Sequence, residues 1–296
     1  MNTILKQFIK KYLITFFKYF LSNINFKLKP SSHPYYLTWF ILLLIIFIFG
    51  GFKNLHHKAY KIKTVIIDAG HGGKDPGTHG KFVKEKDIAL KVALNVGKLI
   101  KENIPDVKII YTRKTDIFIE LNERANIGNR NHADLFISIH CNANPFSSAI
   151  YGTETYTMGL HTSEENLEVA KRENSVILQE KDYKGKYDGF DPESPEAYIL
   201  LSNFQSAFID NSLKFSELVE KQFKYKAGRK SRGVKQAGFL VLRRTAMPSS
   251  LIEIGYLTNA KEEIFLKSKE GQDRIALAIY KGFKEYKQTI ESVGEN

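Results

Sequence analysis

Three features of this chain predict an α/β fold: a single domain with a mostly parallel, twisted sheet flanked by helices, preceded by one N-terminal transmembrane segment. From Thr64 onward, short apolar runs alternate with stretches of helical periodicity, the pattern of strands joined through crossover helices. The run Asp134–His140 (Asp-Leu-Phe-Ile-Ser-Ile-His) is apolar on both faces, as a strand buried between two helical layers must be. Residues 36–52 carry no charge, and about 17 residues is the short end of what spans a bilayer.

The amino-terminal portion explains the charge of the chain. Its 296 residues have a net charge of +12, yet residues 1–63 hold ten lysines, no arginine and no acid. Everything from Thr64 onward therefore carries only +2, and a nucleic-acid partner is not expected. More lysines precede residues 36–52 than follow them, and Tyr35, Tyr36 and Trp39 mark the entry. The positive-inside rule and the aromatic belt then leave residues 1–35 as a basic cytoplasmic arm. Residues 36–52 are a transmembrane anchor or a signal segment, and 53–63 a linker. Ile9, Leu13, Phe16 and Phe20 recur at helical spacing, as in a helix lying on the inner leaflet. The expected location is the cell envelope, with the soluble domain on the periplasmic side, or secreted if the segment is cleaved. Cys141 is the only cysteine, so no intramolecular disulfide forms.

The soluble domain is expected over 64–290, with 291–296 as a tail. Val65-Ile66-Ile67-Asp68 reads as a buried strand that breaks into the turn Ala69-Gly70-His71-Gly72-Gly73. A helix follows over 86–101, with Ile88, Val92, Val96 and Leu99 on one face, then a strand over 107–112 and a helix over 121–132. The strand 134–140 comes next, and 151–158 alternates as another. Residues 159–237 read as a helical insertion with helices over 163–180 and 203–225 and a loop over 185–195. Strands at 238–243 and 249–256 and a helix over 272–287 complete the domain.

Four residues break their local pattern. His71 and His140 close two strands at their carboxyl ends, where chemistry collects in open α/β sheets. Glu85 lies three and seven residues before Ile88 and Val92, which turns it inward, although an acid at a helix start is also favoured by the macrodipole. Glu253 interrupts the apolar strand Leu251–Gly255, and burying such an acid without a partner costs several kcal/mol at order of magnitude. Two histidines and a carboxylate with an open fourth position form the ligand set of a catalytic zinc site, and a neighbouring carboxylate can act as general base. Cys141 alternates to the opposite face from His140. His56 and His57 belong to the linker, His79 adjoins the glycine turn, and Arg113, Asp116 and Arg124 suit structural roles.

The segments Ile67–Gly73, Lys84-Glu85-Lys86, Ser138–Ala143 and Glu253–Asn259 stand in the order found in zinc-dependent N-acetylmuramoyl-L-alanine amidases of type 3, and the chain resembles that family from about Thr64 to Lys287. The resemblance implies one zinc ion held by His71, Glu85 and His140, with Glu253 catalytic. It implies peptidoglycan as substrate, cut between the lactyl group of N-acetylmuramic acid and L-alanine. Asp68 is either an acceptor orienting His71 or a structural group at the strand end. In some relatives a helix covers the zinc site until an activator protein displaces it. Residues 159–237 are accordingly a lid or a fixed wall of the cleft, with Glu164, Glu165, Glu168 and Glu173 as acids able to reach the metal. Two other functions fit the residues less well: a zinc peptidase acting on the stem peptide, and a catalytically silent wall-binding protein.

Overall fold

The computed structural model describes residues 60–161, 163–202 and 207–292. The basic arm, the uncharged segment 36–52 and the histidines of the linker lie outside them. Among the described residues no helix is long and apolar enough to cross a membrane.

The sheet has six strands: β1 (Thr64–Ala69), β2 (Lys108–Tyr111), β3 (Leu135–Asn142), β4 (Thr153–Met158), β5 (Ser231–Ala237) and β6 (Ser249–Tyr256). Their order is β2-β1-β3-β6-β4-β5. The first four positions pair in parallel, β4 runs antiparallel to β6, and β5 is parallel to β4. The sheet is therefore mixed. The reversal matters for function, because it brings the beginnings of β4 and β5 to the edge where β1, β3 and β6 end.

Helices α1 (Glu85–Asn103), α6 (Ile209–Tyr225), α8 (Ala260–Lys267) and α9 (Lys269–Ser292) cover one face. Val65, Ile67, Ile137, Ile139, Ile252 and Ile254 meet Val92, Val96, Phe215, Val219, Phe223, Ile279 and Phe283 there. Strand residues of the other parity, Ile66, Phe136, Tyr156 and Leu251, form a second core. It is covered by α2 (Leu121–Arg130), α3 (Glu164–Asn174) and the 3-10 turn Ser175–Gln179, then α4 (Tyr183–Lys186), α5 (Pro195–Ser202) and α7 (Leu240–Arg243). With helices on both sides, β3 is buried at all eight positions, which is why its sequence shows no alternation.

Several expectations need correction. The strand expected at 238–243 is instead β5 at Ser231–Ala237, followed by the one-turn helix α7. Phe239, Leu240, Val241 and Leu242 are apolar because they plug the second core, and a short apolar run does not distinguish strand from buried turn. The true strand is polar and half-buried because it lies at the sheet edge. The loop expected over 185–195 is bracketed by α4 and α5. The segment 159–237 is not a removable insertion: α6 supplies Phe215, Val219 and Phe223 to the first core, and β5 is part of the sheet. Only the portion from α3 to α5 forms a covering layer. Helix α9 continues through Ser292, past the start assigned to the tail.

Candidate metal centre

The glycine turn is built to hold one imidazole at the end of β1. His71 has φ of +58°, a left-handed conformation that costs a non-glycine residue about 1 kcal/mol or more. Its carbonyl accepts from Arg124 Nη2 at 2.8 Å, and its ring Nδ1 meets Asp75 Oδ2 at 2.7 Å. Arg113 donates to the carbonyls of Ala69 and Gly70, and Asp116 accepts from the Gly73 amide. The structural roles expected of Arg113, Asp116 and Arg124 are thus observed. Gly70 has to be glycine because a Cβ there would stand 2.4 Å from the His140 ring.

Asp68 does not orient His71. It is fully buried and accepts from Thr112 Oγ1 and Ser138 Oγ, both at 2.6 Å, and from Arg124 Nη1 at 2.8 Å. Burial opposes its charge, but Arg124 and the two hydroxyls outweigh that and hold its pKa below the usual range. Of the two roles open to Asp68, the structural one at the strand end is observed. Strand geometry explains this: side chains stand perpendicular to the sheet, so Asp68 faces its neighbours in β3 and beyond β2 rather than the turn after it. The residue at the His71 ring, Asp75, was missed, although the spacing of four residues after the histidine was visible.

Glu85 is fully buried at the first position of α1. Its Oε2 accepts from the Thr78 amide at 2.8 Å and its Oε1 from the Cys141 amide at 2.8 Å. Those two contacts aim the carboxylate at both imidazoles. Oε1 stands 3.0 Å from His71 Nε2 and 3.1 Å from His140 Nδ1. Cys141 points away into the first core, as its parity requires.

A fourth group enters from α3. Glu173 Oε2 lies 3.1 Å from His71 Nε2 and 2.9 Å from His140 Nδ1. His71, Glu85, His140 and Glu173 each offer one ligand atom, all within 4.8 Å of one another, and all four residues are buried. Of the four acids expected to reach the centre, only Glu173 does so. Its helix starts at Ser163, whose side chain accepts from the Asn166 amide, and Asn174 ties the end to the Gly238 carbonyl and the Leu240 amide. Burial disfavours charge throughout the cluster. Even so, Glu85 and Glu173 raise the His71 and His140 pKa values, and the imidazoles in turn hold both carboxylates low. Despite this mutual compensation, His71 Nε2 and Glu173 Oε2 find no aligned hydrogen-bond partner, as expected of donors arranged for a cation rather than for one another.

Glu253 lies beside this cluster. It pairs in register with His140 across β3 and β6, is fully buried, and neither carboxylate oxygen has a hydrogen-bond partner. Burial first, and then the charges of Glu173 and Glu85, push its pKa well above the carboxylate range against the pull of Arg172. Arg172 Nη2 stands 3.5 Å from Glu253 Oε1, while the same guanidinium donates to Asn142 Oδ1 and the Ala143 carbonyl, each at 3.0 Å. His79 is exposed and outside the cluster.

The comparisons agree with the geometry. The family profile for N-acetylmuramoyl-L-alanine amidases matches residues 65–285. AmiC of Escherichia coli O6:H1, an N-acetylmuramoyl-L-alanine amidase, is 33% identical over 232 residues; the match covers 75% of this chain and 52% of that protein. AmiA of E. coli K12 is 31% identical over 242 residues, covering 80% of each. The CwlD amidase of Clostridioides difficile, solved in complex with the GerS lipoprotein, is 25% identical, with a TM-score of 0.56 over 77% of this chain and 99% of that one. The chain belongs to the N-acetylmuramoyl-L-alanine amidase family.

Proposed function

We infer that His71, Glu85 and His140 hold one zinc ion and that Glu253 serves beside it as the catalytic base of a peptidoglycan amidase. The observation that carries this is the convergence of two imidazoles and a carboxylate, each fixed from behind, with a further carboxylate standing in the fourth position. Their mutual contacts of 2.9–3.1 Å are near the ~3.3 Å edge of a tetrahedron with metal–ligand bonds of ~2.0 Å. A zinc ion in such a site supplies Lewis-acid polarisation of a carbonyl and a water acidified toward neutrality.

The chain's own groups do the rest. Glu253, buried beside the cluster and in register with His140, accepts the proton of the attacking water. It then delivers that proton to the departing L-alanine amine. The bond cut joins the lactyl carbonyl of N-acetylmuramic acid to L-alanine, in cell-wall remodelling or daughter-cell separation. Purified sacculi digested by the full chain should yield stem peptides with a free L-alanine amine and muramic acid with its lactyl group intact, by mass analysis. A chelator should abolish release, and Glu253→Gln should lower it by roughly 10²–10⁴-fold. Cleavage inside the stem peptide, or full activity of the variant, would contradict the reading.

The arrangement described is a closed one. Glu173 stands in the position that water and substrate need, and Arg172 occupies the space beside Glu253. Both come from α3, so α3 acts as a lid that holds hydrolysis at a basal level until a partner protein displaces it. The relative solved with the GerS lipoprotein supports a protein partner for this kind of domain. The uncharged run 36–52 and the lysines before it support an inner-membrane anchor with the catalytic domain on the outer side, testable by membrane fractionation and protease protection.

A further inference from the structure

A second charged cluster lies on the same face as Glu253. In the antiparallel pairing of β4 with β6, Glu154 stands directly opposite Glu253. Such partners share a face, with Cβ atoms about 4.5–5.5 Å apart. Glu154 is 1% exposed and accepts from Tyr156 Oη at 2.6 Å, Tyr256 Oη at 2.7 Å, Lys235 Nζ at 2.9 Å and Asn142 Nδ2 at 3.2 Å. It also accepts from Arg232 Nε. Two cations thus share one carboxylate. Arg232 spends Nε on Glu154 and turns Nη2 outward, where it meets Glu165 Oε1 of the lid helix at 3.2 Å. Glu165 and Glu173 lie eight residues apart on α3, which is about 12 Å along a helix. The lid therefore places one carboxylate at the metal centre and a second one on Arg232.

We propose that Arg232, backed by Glu154 and Lys235, is the subsite for a free carboxylate on the peptide side of the scissile amide, and that Glu165 occupies it when the lid is closed. The inference rests on the amidase reading above. In peptidoglycan the stem peptide carries the free carboxylates beyond L-alanine, within one or two residues of the cut. When α3 withdraws, Glu165 leaves and the cluster keeps an excess positive charge beside Glu253. A guanidinium already held at Nε presents its remaining donors in a fixed plane, which suits a carboxylate.

The test uses two muropeptides that differ only at the carboxylate of the residue after L-alanine, free acid in one and amide in the other. The wild-type enzyme, Arg232→Gln, Arg232→Lys and Glu165→Gln are compared, with folding checked by thermal unfolding. The wild-type enzyme should prefer the free acid by roughly 10-fold or more in kcat/KM. Relative to Glu165→Gln, which lacks the same lid contact, Arg232→Gln should lose roughly 10- to 100-fold on the free acid, mainly through KM, and little on the amide, so that the preference disappears. Arg232→Lys should restore part of it. Glu165→Gln should raise activity on both substrates and keep the preference. If Arg232→Gln instead raises activity equally on both, the residue is only a latch for the lid and the subsite is overturned. Release of a free L-alanine amine in that experiment leaves the amidase reading standing; hydrolysis of neither substrate by any of the four proteins overturns both.

Discussion

Two aspartates, seven positions apart, divide the labour around His71. Asp68 anchors the strand end through Arg124, Thr112 and Ser138, all buried. Asp75 fixes the ring from its Nδ1 side, and such a partner typically affects metal affinity 10- to 100-fold. On the zinc reading proposed above, Asp75→Ala should weaken zinc binding by roughly that factor, measured by competition with a chromophoric chelator, with little change in thermal stability. Asp68→Ala should do the reverse. Leaving Arg124 buried without its partner costs about 3–5 kcal/mol, read from chemical denaturation. His71, Glu85, His140 and Glu253 were legible in the sequence because each violates the pattern of its own element. Asp75, Asn142, Glu154, Arg172 and Arg232 were not, since polar residues in turns, at strand starts and on helices violate nothing. Only their neighbours across the fold give them meaning.

At the scale of elements, α3 is the helix that brings two side chains over the centre. Its Ser163 cap and the Asn174 tether set where the helix begins and ends, and that placement inserts Arg172 and Glu173 together. Replacing Glu173 with Ala should raise basal muropeptide hydrolysis roughly 5- to 100-fold, the range of a coupling of about 1–3 kcal/mol. Unchanged or abolished activity in a folded variant would show that the helix is a fixed wall of the cleft. Deleting 159–237 would not ask this question, because α6 and β5 would go with it and take Phe215, Val219 and Phe223 from the core. The helical stripe of α6 was visible at the sequence level, whereas the edge strand β5 was hidden by its polarity and by the apolar run that follows it.

For the whole molecule, one buried acid outside the centre makes stability depend on pH. Glu220 on α6 accepts from Thr153 Oγ1, Thr155 Oγ1 and Ser231 Oγ. Burial pushes its pKa from 4.5 up to about 7, against the three hydroxyls. With the folded value above the unfolded one, the unfolded chain releases its proton first as pH rises. Stability is thus intact below about pH 4.5, falls between 4.5 and 7, and stays reduced above that. Glu220→Gln should gain on the wild-type protein by about 2 kcal/mol between pH 5 and pH 8. Parallel unfolding curves at the two pH values would check this; a constant difference would refute it.

The sequence by itself determined the α/β class, the helices and strands with strong periodicity, the family, and His71, Glu85, His140 and Glu253 as residues out of keeping with their own elements, which the fold brings to one place. These depend on local patterns and on residues that are costly where they stand. Tertiary structure alone decided that β4 and β5 run against the other strands, that α3 delivers Glu173 and Arg172 to the cluster, and that Asp75 rather than Asp68 holds His71. Those outcomes depend on which distant segments meet. No window of sequence encodes the approach of residue 173 to residue 71, or of residue 232 to residue 154; the packing of the whole domain does.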